Sequence, residues 1–244
     1  MLVDGDNEAV TARQHPRLVL VVAELLDHGL RLTAPDQDPL TVAEPDGRRL
    51  EDVTLWGSRF AAAPASAEAA AWFSRVTGTA VRLVFLDDPS RRATDPRWSR
   101  PEDRVALSDG YPLLLATEES LAALNDWIAT GPRADEGPVP MGRFRPNLVV
   151  AGAPAWSEDG WRRLRIGDTT FRAAKACDRC VFTLIDPVTA AKGKEPLATL
   201  ARRRQWDHKT WFAINLLPDE GGGTLTVGDP VTVLEAAEAD EPLH

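Results

Sequence analysis

Residues 171–204 read FRAAKACDRCVFTLIDPVTAAKGKEPLATLARRR and hold both cysteines of the chain, Cys177 and Cys180, in a Cys-x-x-Cys. Strand-like residues precede the pair at 169–173 and an apolar run follows at 181–185, so the sulfurs are expected between two β-strands. Beyond Asp186-Pro187 and a Gly/Lys loop, Pro196 and the basic residues Arg202, Arg203 and Arg204 mark the start and the last turn of a short helix over 195–204. A sulfur held between strands with cations close by suits a metal or sulfur chemistry. The rest of the chain is read as its scaffold.

Upstream, short extended segments are expected at 1–3, 10–12, 18–23, 30–33, 40–43 and 53–56, separated by turn residues such as Pro35-Asp36 and Pro45-Asp46-Gly47. Many short strands at this spacing predict a β-barrel or sandwich. Ser66 caps a helix over 66–77 whose apolar residues recur at Ala69, Trp72, Phe73 and Val76, and Gly78 closes it. A buried strand follows at 81–86. Residues 87–104, rich in proline, aspartate and arginine, read as a loop and the best place for a domain boundary. In the second half a strand at 113–116 leads into a helix capped by Thr117, with Leu121, Leu124 and Ile128 as its buried stripe. Further strands are expected at 148–150, 163–166, 169–173, 181–185, 211–217, 224–227 and 231–234, and an acidic, disordered tail at 235–244.

With 244 residues the chain can bury a full core without staples. A net charge of -9 argues against a nucleic-acid or anionic-membrane binder, though not against a local basic pocket. No apolar run reaches the length of a membrane span, and no signal peptide is visible. Two cysteines make no disulfide framework, so a cytoplasmic location is the default.

The cysteine pair admits four readings. A structural zinc needs four N/S ligands, and His15, His28, His208 and His244 are scattered without ligand spacing. A thioredoxin-like pair belongs at a helix N-terminus, and here the second cysteine runs into an apolar stretch. Two packing cysteines, or one thiolate on a thiophilic metal, remain, and spacing alone does not favour the metal. Arg13 and Arg145 lie in strand-like segments where an unpaired guanidinium is costly. A phosphate could satisfy such arginines with forked hydrogen bonds, and a buried carboxylate could do the same.

Several blocks carry a resemblance: Thr11-Ala12-Arg13-Gln14-x-Pro16-Arg17-Leu18, Ser108-Asp109-Gly110-Tyr111-Pro112, Phe144-Arg145-Pro146-Asn147-Leu148-Val149-Val150, Ala176-Cys177-x-Arg179-Cys180 with Asp186-Pro187, Lys194-Glu195-Pro196-Leu197, and Val227-Gly228-Asp229-Pro230-Val231. In this order they resemble the MOSC (molybdenum cofactor sulfurase C-terminal) family, in the branch of the amidoxime-reducing components. The resemblance implies a mainly β fold with short helices (α+β): an N-terminal β-barrel domain over 1–87, a linker at 88–103 and a MOSC domain over 104–234, with the acidic tail at 235–244. It implies the pterin molybdenum cofactor, with Cys180 as the catalytic cysteine and protein ligand to the metal. Arg13, Gly110, Tyr111, Arg145, Asn147, Asp178, Arg179 and Asn215 fall at cofactor-binding positions, and Cys177 becomes a packing residue. Pyridoxal phosphate binding is a further property at the level of the family.

The activity so implied is reduction of small N-oxygenated substrates, with electrons from a separate flavin, haem or iron–sulfur donor protein. Two other functions stand beside it: a non-redox sulfur or molybdenum-cofactor carrier with a persulfide on Cys180, and a non-enzymatic binding module that has lost the cofactor. Relatives carry a Lys-Ser-type phosphate-binding motif upstream of the strand at 1–3, so that first strand is expected to be truncated.

Overall fold

The structure, a computed structural model, describes residues 1–219 and 223–238. The chain forms two compact units, each with its own core.

The first unit comprises Met1–Ala93, Arg104–Asp109 and Ile185–Lys192. Its strands are β1 (Leu2–Val3), β2 (Ala9–Val10), β3 (Val22–Leu26), β4 (Gly29–Ala34), β5 (Gln37–Ala43), β6 (Glu51–Leu55), β7 (Ser58–Pro64) and, after helix α1 (Ala67–Thr77), β8 (Arg82–Phe85). They build a five-stranded sheet of order β2-β1-β8-β7-β6 and a three-stranded sheet β3-β4-β5. Ser66 caps α1 by accepting a hydrogen bond from Ala69 N at 3.2 Å, and Gly78 closes it in the left-handed region. The helix buries Ala69, Trp72, Phe73 and Val76 in one cluster with Leu32, Leu40 and Val42 of the three-stranded sheet. Each large side chain buried there contributes about 1.5–3 kcal/mol. The Trp72 indole N–H donates to the Asp38 carbonyl at 2.8 Å, which registers the helix on β5.

Two expectations change in this unit. Residues 18–23 are not continuously extended: Pro16–Leu20 forms a 3-10 turn ahead of β3, with Pro16 supplying its first-turn φ. Strand β7 escaped the sequence reading because three of the seven residues of SRFAAAP are alanine, a weak strand former, and it forms by pairing with β6 in the register Leu55↔Ser58 through Glu51↔Ala62.

The second unit comprises Thr94–Asp103, Gly110–Leu184 and the described residues from Gly193 on. Its strands and helices are β9 (Leu113–Thr117), α2 (Glu118–Ala129), β10 (Leu148–Val150), β11 (Trp161–Ile166), β12 (Thr169–Asp178), α3 (Leu197–Arg203), β13 (Gln205–Trp206), β14 (Lys209–Pro218) and β15 (Val231–Ala236). The sheet order is β10-β9-β14-β12-β11-β15, with β13 paired to β14. Among the described residues β9 and β10 are the one parallel pair of this sheet, joined across α2, whose cap Thr117 accepts from Ser120 N at 3.1 Å. The architecture is therefore mainly β with three short α-helices among the described residues.

Three readings are corrected here. The apolar run after Cys180 is a 3-10 turn, Val181–Leu184, because the Cys180 carbonyl accepts both Thr183 N at 3.1 Å and Thr183 Oγ1 at 3.0 Å. Residues 224–227 are not a strand. Glu235 and Ala236, expected in the tail, extend β15 and pair with Arg163 and Trp161; residues 239–244 of that tail lie outside the described residues.

An aromatic stack runs through the second core. Trp127 stacks on Trp156 at 5.0 Å, Trp156 meets Phe212 edge-on at 6.0 Å, and Phe212 stacks on Phe144. The Arg204 guanidinium lies 4.3 Å over Trp156 and is paired with Asp159 at 2.6 Å, with both side chains buried. Beside it Glu158 is fully buried, its Oε2 accepting from Ser120 Oγ at 2.9 Å and Thr117 Oγ1 at 3.3 Å.

Candidate functional site

Strand β12 brings the first cysteine to its C-terminal end. Opposite it β14 carries a bulge: Ala176 pairs with Ile214 and Asp178 with Trp211, so Cys177 alone faces Phe212 and Ala213. Ala213 takes φ +73 within the bulge, a conformation costly for a residue with a Cβ. Just past the strand, Arg179 N donates to Thr210 O at 2.7 Å and Thr210 Oγ1 donates back to Arg179 O at 3.3 Å. The following 3-10 turn then holds Cys180 by its carbonyl. Both cysteines are half-buried and neither is in a disulfide.

The segment around Phe144 packs against this corner. Arg143 donates to Leu184 O at 2.9 Å, and the Arg145 guanidinium lies 5.7 Å over the Phe182 ring. Arg145 itself has φ +53 and turns the chain into β10. Asn147 fixes that entry twice, since its N–H donates to Leu114 O and its Oδ1 accepts from Leu114 N, each at 2.9 Å.

Arg179 joins the two segments. Its Nη2 donates to Phe144 O at 2.9 Å, its plane lies 5.5 Å over the Phe144 ring, and its Nη1 reaches Cys177 Sγ at 2.9 Å. The guanidinium that the sequence places beside the second cysteine thus touches the first, and Cys177 is more than a packing residue. Asn215 lies across from Lys175 and donates weakly to the carbonyls of Lys175 (3.4 Å) and Ala176 (3.5 Å). Asp178 is exposed and is paired with Lys175 at 3.4 Å.

Gly110 and Tyr111 differ from each other. Gly110 has open space where a side chain would stand. Tyr111 is buried in a cluster with Ala174, Leu217 and Trp98. Burial, with Asp95 adding to it, pushes its phenol up to about 12. Arg179, Cys180 and Arg145 share the corner formed by the Phe144 segment and the 3-10 turn, whereas Asn147 bonds to Leu114 of β9, Asn215 lies within β14, and Asp178 ends β12.

Arg13 belongs to the first unit. Its guanidinium lies 4.2 Å over the Trp56 ring and 3.6 Å from an Asp109 carboxylate oxygen. Trp56 Nε1 also donates to Asp109 at 3.1 Å. Asp109 is in turn placed by the buried Arg92, whose Nη1 donates to the carbonyls of Ala106 and Ser108, and whose Nη2 donates to that of Asp109, at 2.6–2.7 Å. Burial lowers the Arg92 pKa, and Asp109 opposes that shift. The sequence reading placed Trp56 at the end of the strand 53–56 and gave it no role, whereas it opens the two-residue turn Trp56-Gly57 between β6 and β7.

Residues 102–232 match the MOSC domain family, and residues 1–80 match the MOSC N-terminal beta barrel domain family. The chain belongs to the MOSC family and carries the N-terminal barrel domain that accompanies it. It is 36% identical over 247 residues to mitochondrial amidoxime reducing component 2 of Rattus norvegicus, covering 95% of this chain and 71% of the relative. It is 33% identical over 249 residues to mitochondrial amidoxime-reducing component 1 of Homo sapiens, covering 96% and 72%. A solution structure from Bordetella bronchiseptica aligns with 34% of this chain and 68% of its own at 23% identity and a TM-score of 0.31.

Proposed function

We propose that this chain is a molybdenum-cofactor oxidoreductase that reduces N-hydroxylated compounds with electrons from a separate donor protein. The observation that carries the reading is the Cys180 corner, in a chain similar along nearly its whole length to amidoxime-reducing components. Among the described residues no three His, Cys, Asp or Glu side chains cluster to hold a bare metal ion. A molybdenum held by Cys180 would bring further sulfur ligands with it in a dithiolene cofactor. The donor set fits such a group: a soft sulfur, the Arg145 and Arg179 guanidiniums, and an Arg179 Nε that is buried with no hydrogen-bond partner among the described residues.

In this reading Cys180 supplies the protein thiolate to molybdenum. Arg13, Arg145 and Arg179 bind the cofactor's anionic and polar edge, and Gly110 leaves room for its approach. Asn147 and Asn215 hold the backbone around the site, and Asp178 lies at its rim. Tyr111 stays protonated at working pH and acts as a packed wall. The cofactor supplies the two-electron redox chemistry. Converting an amidoxime to an amidine consumes those electrons with two protons and releases water.

The test is anaerobic turnover of benzamidoxime with a reduced viologen dye, on protein from a host that makes the cofactor. Amidine formation that scales with bound molybdenum is expected. Molybdenum-loaded protein that forms no amidine would overturn the reductase reading.

A further inference from the structure

Trp56 occupies an unfavourable position. It is the first residue of the two-residue turn joining β6 and β7, with φ +52, followed by Gly57 at φ +81. Such turns prefer Asn, Asp or Gly at that place, because a bulky residue at positive φ is strained. The ring is also 46% exposed, so core packing does not explain it. Strain retained at a half-exposed aromatic is a reason to look for what the ring holds.

It holds Arg13. The guanidinium lies on the indole at 4.2 Å, and the indole N–H is fixed by Asp109 at 3.1 Å. Asp109 is anchored by the three carbonyl contacts of Arg92, so the frame under the indole is rigid. The other Asp109 oxygen approaches Arg13 Nη2 only to 3.6 Å, beyond hydrogen-bond range. Among the described residues the Arg13 guanidinium makes no hydrogen bond of its own. Stacking occupies the face of a guanidinium and leaves its in-plane N–H edge for an oxyanion.

We propose that Trp56 is a positioning residue that presents the Arg13 guanidinium to a phosphate group, with Asp109 locking the indole in place. The inference rests on Arg13 as a ligand of the cofactor phosphate. It adds a residue that touches the cofactor only through Arg13.

Trp56→Asn is the informative variant, because Asn suits the turn and removes the ring. Its thermal midpoint should equal or exceed the wild type's, whereas a merely structural tryptophan would lower it. Phosphate binding is read from the indole N–H resonances in an NMR titration with inorganic phosphate, the Trp56 signal being assigned by its loss in Trp56→Phe. The Trp56 resonance should shift saturably with phosphate in the wild type and not in Arg13→Ala. Followed on the Arg13 side chain, Trp56→Asn should bind phosphate about two- to fivefold more weakly, as loss of one exposed cation–π contact requires, with Trp56→Phe between it and wild type because Phe keeps a ring face but not the N–H that Asp109 holds. Purified Trp56→Asn should also hold less molybdenum per chain than wild type. Wild-type phosphate affinity and molybdenum content in Trp56→Asn would overturn the proposal, as would a Trp56 resonance indifferent to phosphate. Absence of molybdenum from the wild type itself would instead strike the proposed function, and the phosphate titration would still decide the role of Trp56.

Discussion

Asp159→Ala is the sharpest perturbation of the core behind the site. It removes the carboxylate 2.6 Å from Arg204, and both side chains are at most 8% exposed. The Arg204 Nε has no hydrogen-bond partner among the described residues, so Asp159 is the group that compensates the buried cation. Breaking a buried pair from one side costs about 3–5 kcal/mol, since the remaining charge has no counterion. The Trp156 and Trp206 rings at 4.3 and 5.1 Å retain part of the stabilisation, which places the expected loss near 3 kcal/mol. At an m-value of about 2–3 kcal/mol/M, the urea midpoint of the second unit should fall by about 1–1.5 M. Replacing both partners, Asp159→Leu with Arg204→Met, should recover most of this because no charge stays buried. The assay is equilibrium urea unfolding followed by far-UV circular dichroism. A loss under about 1 kcal/mol in Asp159→Ala, or a double variant no better than the single one, would refute the reasoning.

Two further outcomes concern titration. Burial raises the Glu158 pKa, with Ser120 opposing it, so the folded state binds that proton more readily than the unfolded chain. Its stabilising contribution is complete below the unfolded value of about 4.3 and is lost as pH rises through the folded pKa. Glu158→Gln should therefore be at least as stable as wild type at pH 7, with its advantage shrinking toward pH 4; a loss above about 1 kcal/mol at pH 7 would contradict this. Tyr111 is the only tyrosine, so absorbance at the tyrosinate band reports it alone. Its midpoint should lie near 12 while the circular dichroism remains native, and a midpoint near 10 in folded protein would show the ring to be solvated.

The parts of the fold legible in the sequence are those set by local chemistry. Helices α1 and α2 were marked by Ser66 and Thr117 at their caps and by apolar residues at helical spacing. The parts that escaped depend on distant partners. Strand β7 is built from alanines that become a strand because β6 and β8 flank them. The run after Cys180 looks like a strand, and Thr183 folds it into a turn by bonding back to Cys180 O. At the candidate site the residues of the Cys-x-x-Cys and of the Phe144 to Asn147 block were legible, but their contacts were not. No spacing rule says that Arg179 reaches Cys177 rather than Cys180, because the side-chain direction is set by the bulge at Ala213 and by the Phe144 ring. The role of Trp56 was invisible for the same reason: its partners, Arg13 and Asp109, lie 43 and 53 positions away.

The central claim, that Cys180 binds molybdenum, is tested most directly by X-ray absorption at the molybdenum edge on wild type and Cys180→Ala, each expressed in a cofactor-producing host. The wild-type spectrum should require one more sulfur neighbour than that of Cys180→Ala, and benzamidoxime reduction should be lost with it. Identical sulfur shells in the two proteins, or full reductase activity in Cys180→Ala, would show that the metal is held elsewhere.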